Sequence, residues 1–158
     1  MAEGIIVRLA GADDAERVAT QVHGLLAELA GKDHIVPSLE TVAATARKLL
    51  TSDDPVWGLL ALDEAGNCLG LLMLNQCAAI YAGGRFGEIT ELYVQSPARS
   101  LGVGRRLIEA ARVFAKERGW TRLEVGAPDV PRWQRTVDFY RGYGFEEVGP
   151  RLRLGLGN

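Results

Sequence analysis

Residues 91–107 read Glu91-Leu92-Tyr93-Val94-Gln95-Ser96-Pro97-Ala98-Arg99-Ser100-Leu101-Gly102-Val103-Gly104-Arg105-Arg106-Leu107. Leu92 to Val94 close an apolar run that starts at Phe86. Pro97 and two glycines mark a turn, and Leu107, Ile108, Ala111, Phe114 and Ala115 then fall on one helical face that ends at Gly119. The stretch is therefore strand, turn, helix. At a helix start several backbone N–H groups lack an intrahelical acceptor and point the same way, and the helix dipole adds partial positive charge there. Gly102 and Gly104 let an anion approach bare backbone, with Arg99, Arg105 and Arg106 beside it. The glycines alone fit better a turn that packs a helix on a sheet. Two better-known phosphate motifs are excluded. The dinucleotide fingerprint needs a third glycine where Leu107 stands, and the P-loop needs a Gly-Lys-Ser/Thr that the segment lacks.

The flanking sequence sets this unit in a larger pattern. Ile5-Ile6-Val7 predicts a first strand. Val18, Val22, Leu25, Leu26 and Leu29 predict an amphipathic helix over 14–30. Ser38 is a good N-cap for a second helix carrying Leu39, Val42, Ala46, Leu49 and Leu50. Val56–Leu62, Cys68–Tyr81 and Phe86–Val94 are short apolar runs separated by turn residues, which predicts an antiparallel meander, with Gly70 marking a bulge. Thr121 to Val125 predicts a strand, Pro131 to Tyr143 a helix ended by Gly144, and Phe145 to Leu154 a last strand. The order β-α-α-β-β-β-α-β-α-β is an α/β (α+β) architecture, a mixed, mostly antiparallel sheet covered by helices.

Composition bounds the rest. With 158 residues the chain fits a single domain, 1–158. Hydrophobic residues are 47% and charged residues 24%, as in an ordinary soluble globule. No apolar stretch suits a membrane span, and the first residues carry no secretory pattern. Cys68 and Cys77 read as core thiols, which favours a reducing cytoplasm, and no Cys or His pair has metal-ligand spacing. The net charge of −2 hides an asymmetry: residues 1–98 carry 6 basic and 13 acidic side chains, residues 99–158 carry 12 and 7. The acidic part suits a cation and the basic part an anion, unless both are merely solvated faces. A sequence pI near 5.7 with dispersed arginines argues against a nucleic-acid partner.

Arg99-x-x-Gly102-x-Gly104 after a strand ending Glu-Leu-Tyr-Val resembles motif A of the GNAT superfamily of acetyl-CoA-dependent N-acetyltransferases. Phe139-Tyr140-Arg141-Gly142-Tyr143-Gly144-Phe145 resembles that family's Phe-Tyr-x-x-x-Gly-Phe motif. The specific motifs span residues 86–148, and the element order is the family's, with helices on both faces of the sheet.

The resemblance implies acetyl-CoA as co-substrate and direct acetyl transfer to an amine. The pantetheine arm would lie along β-strand residues Leu92, Tyr93 and Val94, bonding to backbone. The pyrophosphate would sit on the N–H groups of Leu101, Gly102, Val103, Gly104, Arg105 and Arg106, with Arg99 and Ser100 alongside. Glu88 matches the family's general base and Glu91 is the second candidate. On a regular strand the two point to opposite faces, so only a bulge lets both reach one substrate. Tyr140 matches the family's general acid. Trp133 stands where many members carry Asn; an indole donates a hydrogen bond but accepts none, so it either packs in the core or lines the acceptor pocket. The acceptor implied is a small cationic amine, roofed by Gly31–Pro37 and Tyr81–Arg85, with no nucleic acid, membrane or metal involved and a homodimer allowed. A protein lysine or N-terminus, or a binding module without chemistry, are the alternatives.

Overall fold

The computed structural model describes residues 4–32 and 34–157. These fall into two compact units, divided after Leu123.

The first unit is a sheet with helices on each face. Strand β1 (Ile6–Leu9) is followed by α1 (Ala15–Ala30) and α2 (Leu39–Thr51). The meander is β2 (Val56–Leu62), β3 (Cys68–Ala79) and β4 (Gly84–Val94). Helix α3 (Val103–Glu117) comes next, and β5 (Leu123–Val125) begins at the last residue of this unit. The strands lie in the order β1-β2-β3-β4-β5, with β1 to β4 antiparallel to their neighbours. Beyond β4 the join is made by Gly87 N–H to Arg122 O and Thr121 N–H to Arg85 O, each 3.0 Å.

Strand alternation sorts the core into two layers. Leu60, Leu62, Leu71 and Met73 pack with Ala15, Val18 and Ala19 of α1 and Ala43 and Ala46 of α2. On the other face Val103 and Leu107 of α3 come so close that a Cβ on Gly70 would meet them at 3.2 and 3.4 Å, and Tyr93 O at 2.7 Å. Gly70 thus admits the helix to the sheet. It also flanks a bulge: Gly70 pairs with Ala61 but Cys68 with Leu62, leaving Leu69 as the extra residue. Trp57, Phe114 and Trp120 form a cluster on the α3 side with ring centroids 5.3–5.9 Å apart. The Arg118 guanidinium lies 4.1 Å from the Trp57 ring centre.

The second unit holds α4 (Gln134–Tyr143), shorter at its start than the sequence predicts. Trp133 is its N-cap, and Gly144 ends it in the left-handed region at φ 111°. The strand expected over Phe145–Leu154 is not formed: among the described residues 145–157 hold no regular element. Gly149 sits at φ 115° and Pro150 follows with no N–H to give, so the extended run is broken. Leu152, Leu154 and Leu156 keep the alternating pattern but are 82–96% exposed. Apolar alternation alone makes no strand without a ladder partner.

Candidate active site

Strand β4 carries the two candidate bases, and its register decides where they point. Asn75 of β3 pairs with Glu88, Leu74 with Ile89, and Met73 with Glu91. Two residues step along β3 while three step along β4, so Thr90 is an inserted bulge residue. Asn75 and Met73 are two apart and share the face that packs on α1 and α2. Glu88 and Glu91 therefore share that face as well, and the opposition expected of a regular strand is lifted. Both side chains are half-buried. Cys77 Sγ lies 3.8 Å from Glu88 Oε2 and accepts from Asn75 Nδ2 at 3.5 Å. The Thr90 hydroxyl donates to Glu91 Oε2.

Strand β4 ends at Val94 and a 3-10 turn, Ser96–Ala98, leads toward α3. Ser100 at φ 72° and Gly102 at φ 82° are both left-handed, and Gly102 is the N-cap of α3. For Gly102 this conformation is free; for Ser100 it carries a local cost. The Arg106 N–H bonds Gly102 O at 3.1 Å, the first i→i−4 bond of the helix. Leu101 N–H bonds Ala98 O at 3.3 Å. The ends of the implied cradle are thus used within the chain, and it narrows to the N–H groups between them, led by Gly102, Val103 and Gly104.

The arginines part company. Arg106 Nη2 bonds Ile5 O at 2.7 Å, strapping the chain ahead of β1 rather than facing the helix start. Arg99 Nη2 reaches both carboxylate oxygens of Glu28 on α1, at 2.7 and 2.8 Å, and Arg99 Nε donates to Val94 O at 2.9 Å. Tyr93 Oη donates to Glu28 Oε1 at 3.3 Å. The Tyr93 phenol is raised above its ordinary range, first by burial and then by the Glu28 charge. Arg105 lies exposed on the first turn of α3. Leu92 faces the α3 layer opposite Leu72. Glu28 carried no motif and could be found only once α1 lay beside β4.

In the second unit Tyr140 is 7% exposed, stacked edge-on against Phe145 and beside Phe139. Its carbonyl caps the helix end, accepting from the Phe145 N–H at 3.0 Å. Burial pushes its phenol up to about 12. Trp133 is half-buried, and the Arg132 guanidinium sits 5.1 Å from its ring centre. In the expected acceptor roof, Asp33 lies outside the described residues. Tyr81 stacks on Phe86 at 6.1 Å, with the Arg122 guanidinium 5.1 Å from the Tyr81 ring centre. Among the described residues no group of three or more His, Cys, Asp or Glu is arranged to hold a metal, and no helix is long and apolar enough to cross a membrane.

The meander with its bulged fourth strand runs into a glycine-capped helix start. The family model described as acetyltransferase (GNAT) matches residues 25–145, and the chain belongs to that family. Its fold is similar to that of a ribosomal-protein-alanine N-acetyltransferase from Brucella melitensis biovar Abortus 2308, with 22% identity, a TM-score of 0.75, and 96% of this chain and 99% of that one covered. It is similar as well to an aminoglycoside acetyltransferase from an uncultured soil metagenomic sample. That structure, in complex with trehalose, has 22% identity, a TM-score of 0.78 and 99% of each chain covered. A second structure of it, in complex with sisomicin, has a TM-score of 0.76 with 97% of each chain covered. No curated protein matches the chain.

Proposed function

We propose that the chain moves acetyl from acetyl-CoA directly to a small cationic amine. The observation that carries this is the start of α3, where Gly102 at φ 82° opens a helix on bare backbone at the end of β4. That arrangement suits a diphosphate: helix-start N–H groups give directed hydrogen bonds and the dipole adds charge. Gly102, Val103 and Gly104 hold the pyrophosphate, Arg105 adds charge, and the backbone of Leu92 to Val94 guides the pantetheine arm.

The reaction needs a neutral amine. At a pKa of ~10.4 only about one amine in 10³ is neutral at pH 7. Glu88 takes the proton, directly or through a water, and Glu91 on the same face holds positive charge near it. The freed lone pair attacks the thioester carbonyl and the C–N bond forms; the C–S bond breaks as CoA thiolate leaves, and the surplus proton on the acylated nitrogen passes through water to that thiolate. The resemblance gives Tyr140 the part of a neutral hydrogen-bond donor to that thiolate. Full proton transfer from a phenol held at about 12 to a thiolate of ~8.5 is uphill by roughly 5 kcal/mol. The acidic residues of 1–98 favour a cationic acceptor, and Cys68 and Cys77, neither in a disulfide, suit a reducing cytoplasm.

Calorimetric titration with acetyl-CoA alone tests the cofactor half, with micromolar binding expected and no binding at millimolar overturning it. CoA release across a panel of polyamines, aminoglycosides, and neutral and anionic amines tests the acceptor. Faster turnover of neutral or anionic acceptors overturns the cationic reading. Likeness to a ribosomal-protein-alanine acetyltransferase favours a second reading, a protein N-terminus, which mass spectrometry of treated peptides exposes.

A further inference from the structure

The turn between β4 and α3 sets the direction of the N–H groups that open α3, so whatever holds the turn sets the cradle. Within the turn the bonds are local: Ala98 N–H to Gln95 O at 2.8 Å, Arg99 N–H to Ser96 O at 3.2 Å. Two left-handed residues, Ser100 and Gly102, follow in close succession, so small rotations there re-aim the helix start. Gln95 N–H ties the entrance of the turn to Leu69 O at 2.9 Å. The Arg99 side chain ties its middle. One edge of the guanidinium grips Val94 O, and Nη2 bridges both oxygens of Glu28 one layer away on α1. Tyr93 completes the set: it donates to the same carboxylate, lies 5.6 Å below the guanidinium, and packs so closely on α1 that a Cβ on Gly24 would meet its ring at 3.0 Å.

We propose that Glu28 is a positioning residue for cofactor binding: through Arg99 it fixes the 95–102 turn, and with it the cradle at the start of α3. This deepens the reading of α3 as the pyrophosphate site and rests on it. Glu28 touches no reacting atom in this account. Its side chain and that of Arg99 are 35% and 44% exposed, and an ion pair so open adds little to global stability. Loss of the pair is therefore read in affinity rather than in folding. With Nη2 shared between both Glu28 oxygens and Nε on Val94 O, the guanidinium is oriented in a way a single charge contact does not achieve.

The test compares the full chain with Glu28→Gln, Arg99→Gln and the double variant, measuring acetyl-CoA Kd, kcat at saturating acetyl-CoA, and thermal midpoint. Glu28→Gln is expected to raise Kd roughly tenfold, equivalent to ~1.4 kcal/mol, with kcat and the midpoint held. In the Arg99→Gln background the Glu28 change adds nothing, because both act through one contact. Unchanged or tighter binding by Glu28→Gln overturns the proposal, and so do additive effects in the double variant. A wild-type chain that does not bind acetyl-CoA overturns the pyrophosphate reading itself, before any variant is compared.

Discussion

Glu88 and Glu91 stand three residues apart on β4 yet face the same side of the sheet, because Thr90 is inserted between their pairing partners. The insertion puts two carboxylates over the α1 and α2 face. Glu88→Gln is expected to cut kcat by ~10²–10⁴-fold with little change in acetyl-CoA affinity, the range for loss of a general base. Glu91→Gln is expected to act mainly on the KM of a cationic acceptor. Steady-state CoA release with each variant measures both, and equal effects of the two changes would reverse or merge the roles.

Gly102 at φ 82° opens α3, and a β-branched residue there opposes both the backbone conformation and the approach of a diphosphate. Gly102→Val is expected to abolish acetyl-CoA binding in a calorimetric titration while circular dichroism keeps the wild-type helix signal. Unchanged affinity would remove the cradle from the cofactor site.

Much of this was legible in the sequence, and the misses share a cause. Helical stripes and turn residues are local, so α1, α2, β2 and α3 fall where periodicity puts them. The bulge at Thr90 was not legible because it is a property of two strands: nothing in Glu88-Ile-Thr-Glu91 signals it until β3 supplies the register. Glu28 was silent for the same reason, since its partner is 71 residues away. The strand read into Phe145–Leu154 failed in the opposite direction. Its alternation is real, but Gly149 and Pro150 interrupt it and no ladder meets it. The sequence set Arg99, Arg105 and Arg106 beside an anion at this turn. That Arg99 bonds Glu28 and Arg106 bonds Ile5 O was not legible, because both partners are distant in sequence.

Tyr140 is buried and its phenol is raised to about 12, so it stays protonated across any practical assay range. Tyr140→Phe is expected to lower kcat with the KM for acetyl-CoA held, and no alkaline limb below pH 10 should vanish with it. The folded form binds its proton more tightly than the unfolded chain, whose phenol titrates near ~10. Stability from this group is therefore complete below pH 10 and lost as pH rises toward 12. Urea melts at pH 7 and pH 11 check the sign: the gap between wild type and Tyr140→Phe should shift against the wild type at the higher pH.

Asp14 is held down to about 2, chiefly by its hydrogen bonds from Arg8, 2.8 and 2.9 Å long. A carboxylate depressed in the folded state gives stability that is present above its ordinary pKa and lost as pH falls through the folded value. Asp14→Asn is expected to cost roughly 1 kcal/mol at pH 7, the upper end for a pair this exposed to solvent. The difference should shrink between pH 4 and pH 2. Denaturant melts across that range measure it, and a pH-independent difference would show that the loss does not come from the ionised carboxylate.

Gly87 lies on β4 directly before Glu88, and its missing side chain is filled by another residue. A Cβ there would sit 2.4 and 2.5 Å from carbons of the Trp120 ring and 2.8 Å from Leu123. Trp120 cannot simply swing away, because its Nε1–H bonds Gln76 Oε1 at 2.8 Å and its ring packs on Trp57 and Phe114. Gly87→Ala is therefore expected to destabilise the fold by ~1–3 kcal/mol, the range for overpacking a filled site. Because the strain enters one residue from Glu88, kcat should fall as well, by more than the loss of folded protein accounts for. Trp120→Phe, which loses the indole hydrogen bond but frees space over Gly87, should restore part of the kcat in the double variant. A double variant no faster than Gly87→Ala alone would show that the strain does not travel along β4 to the glutamate.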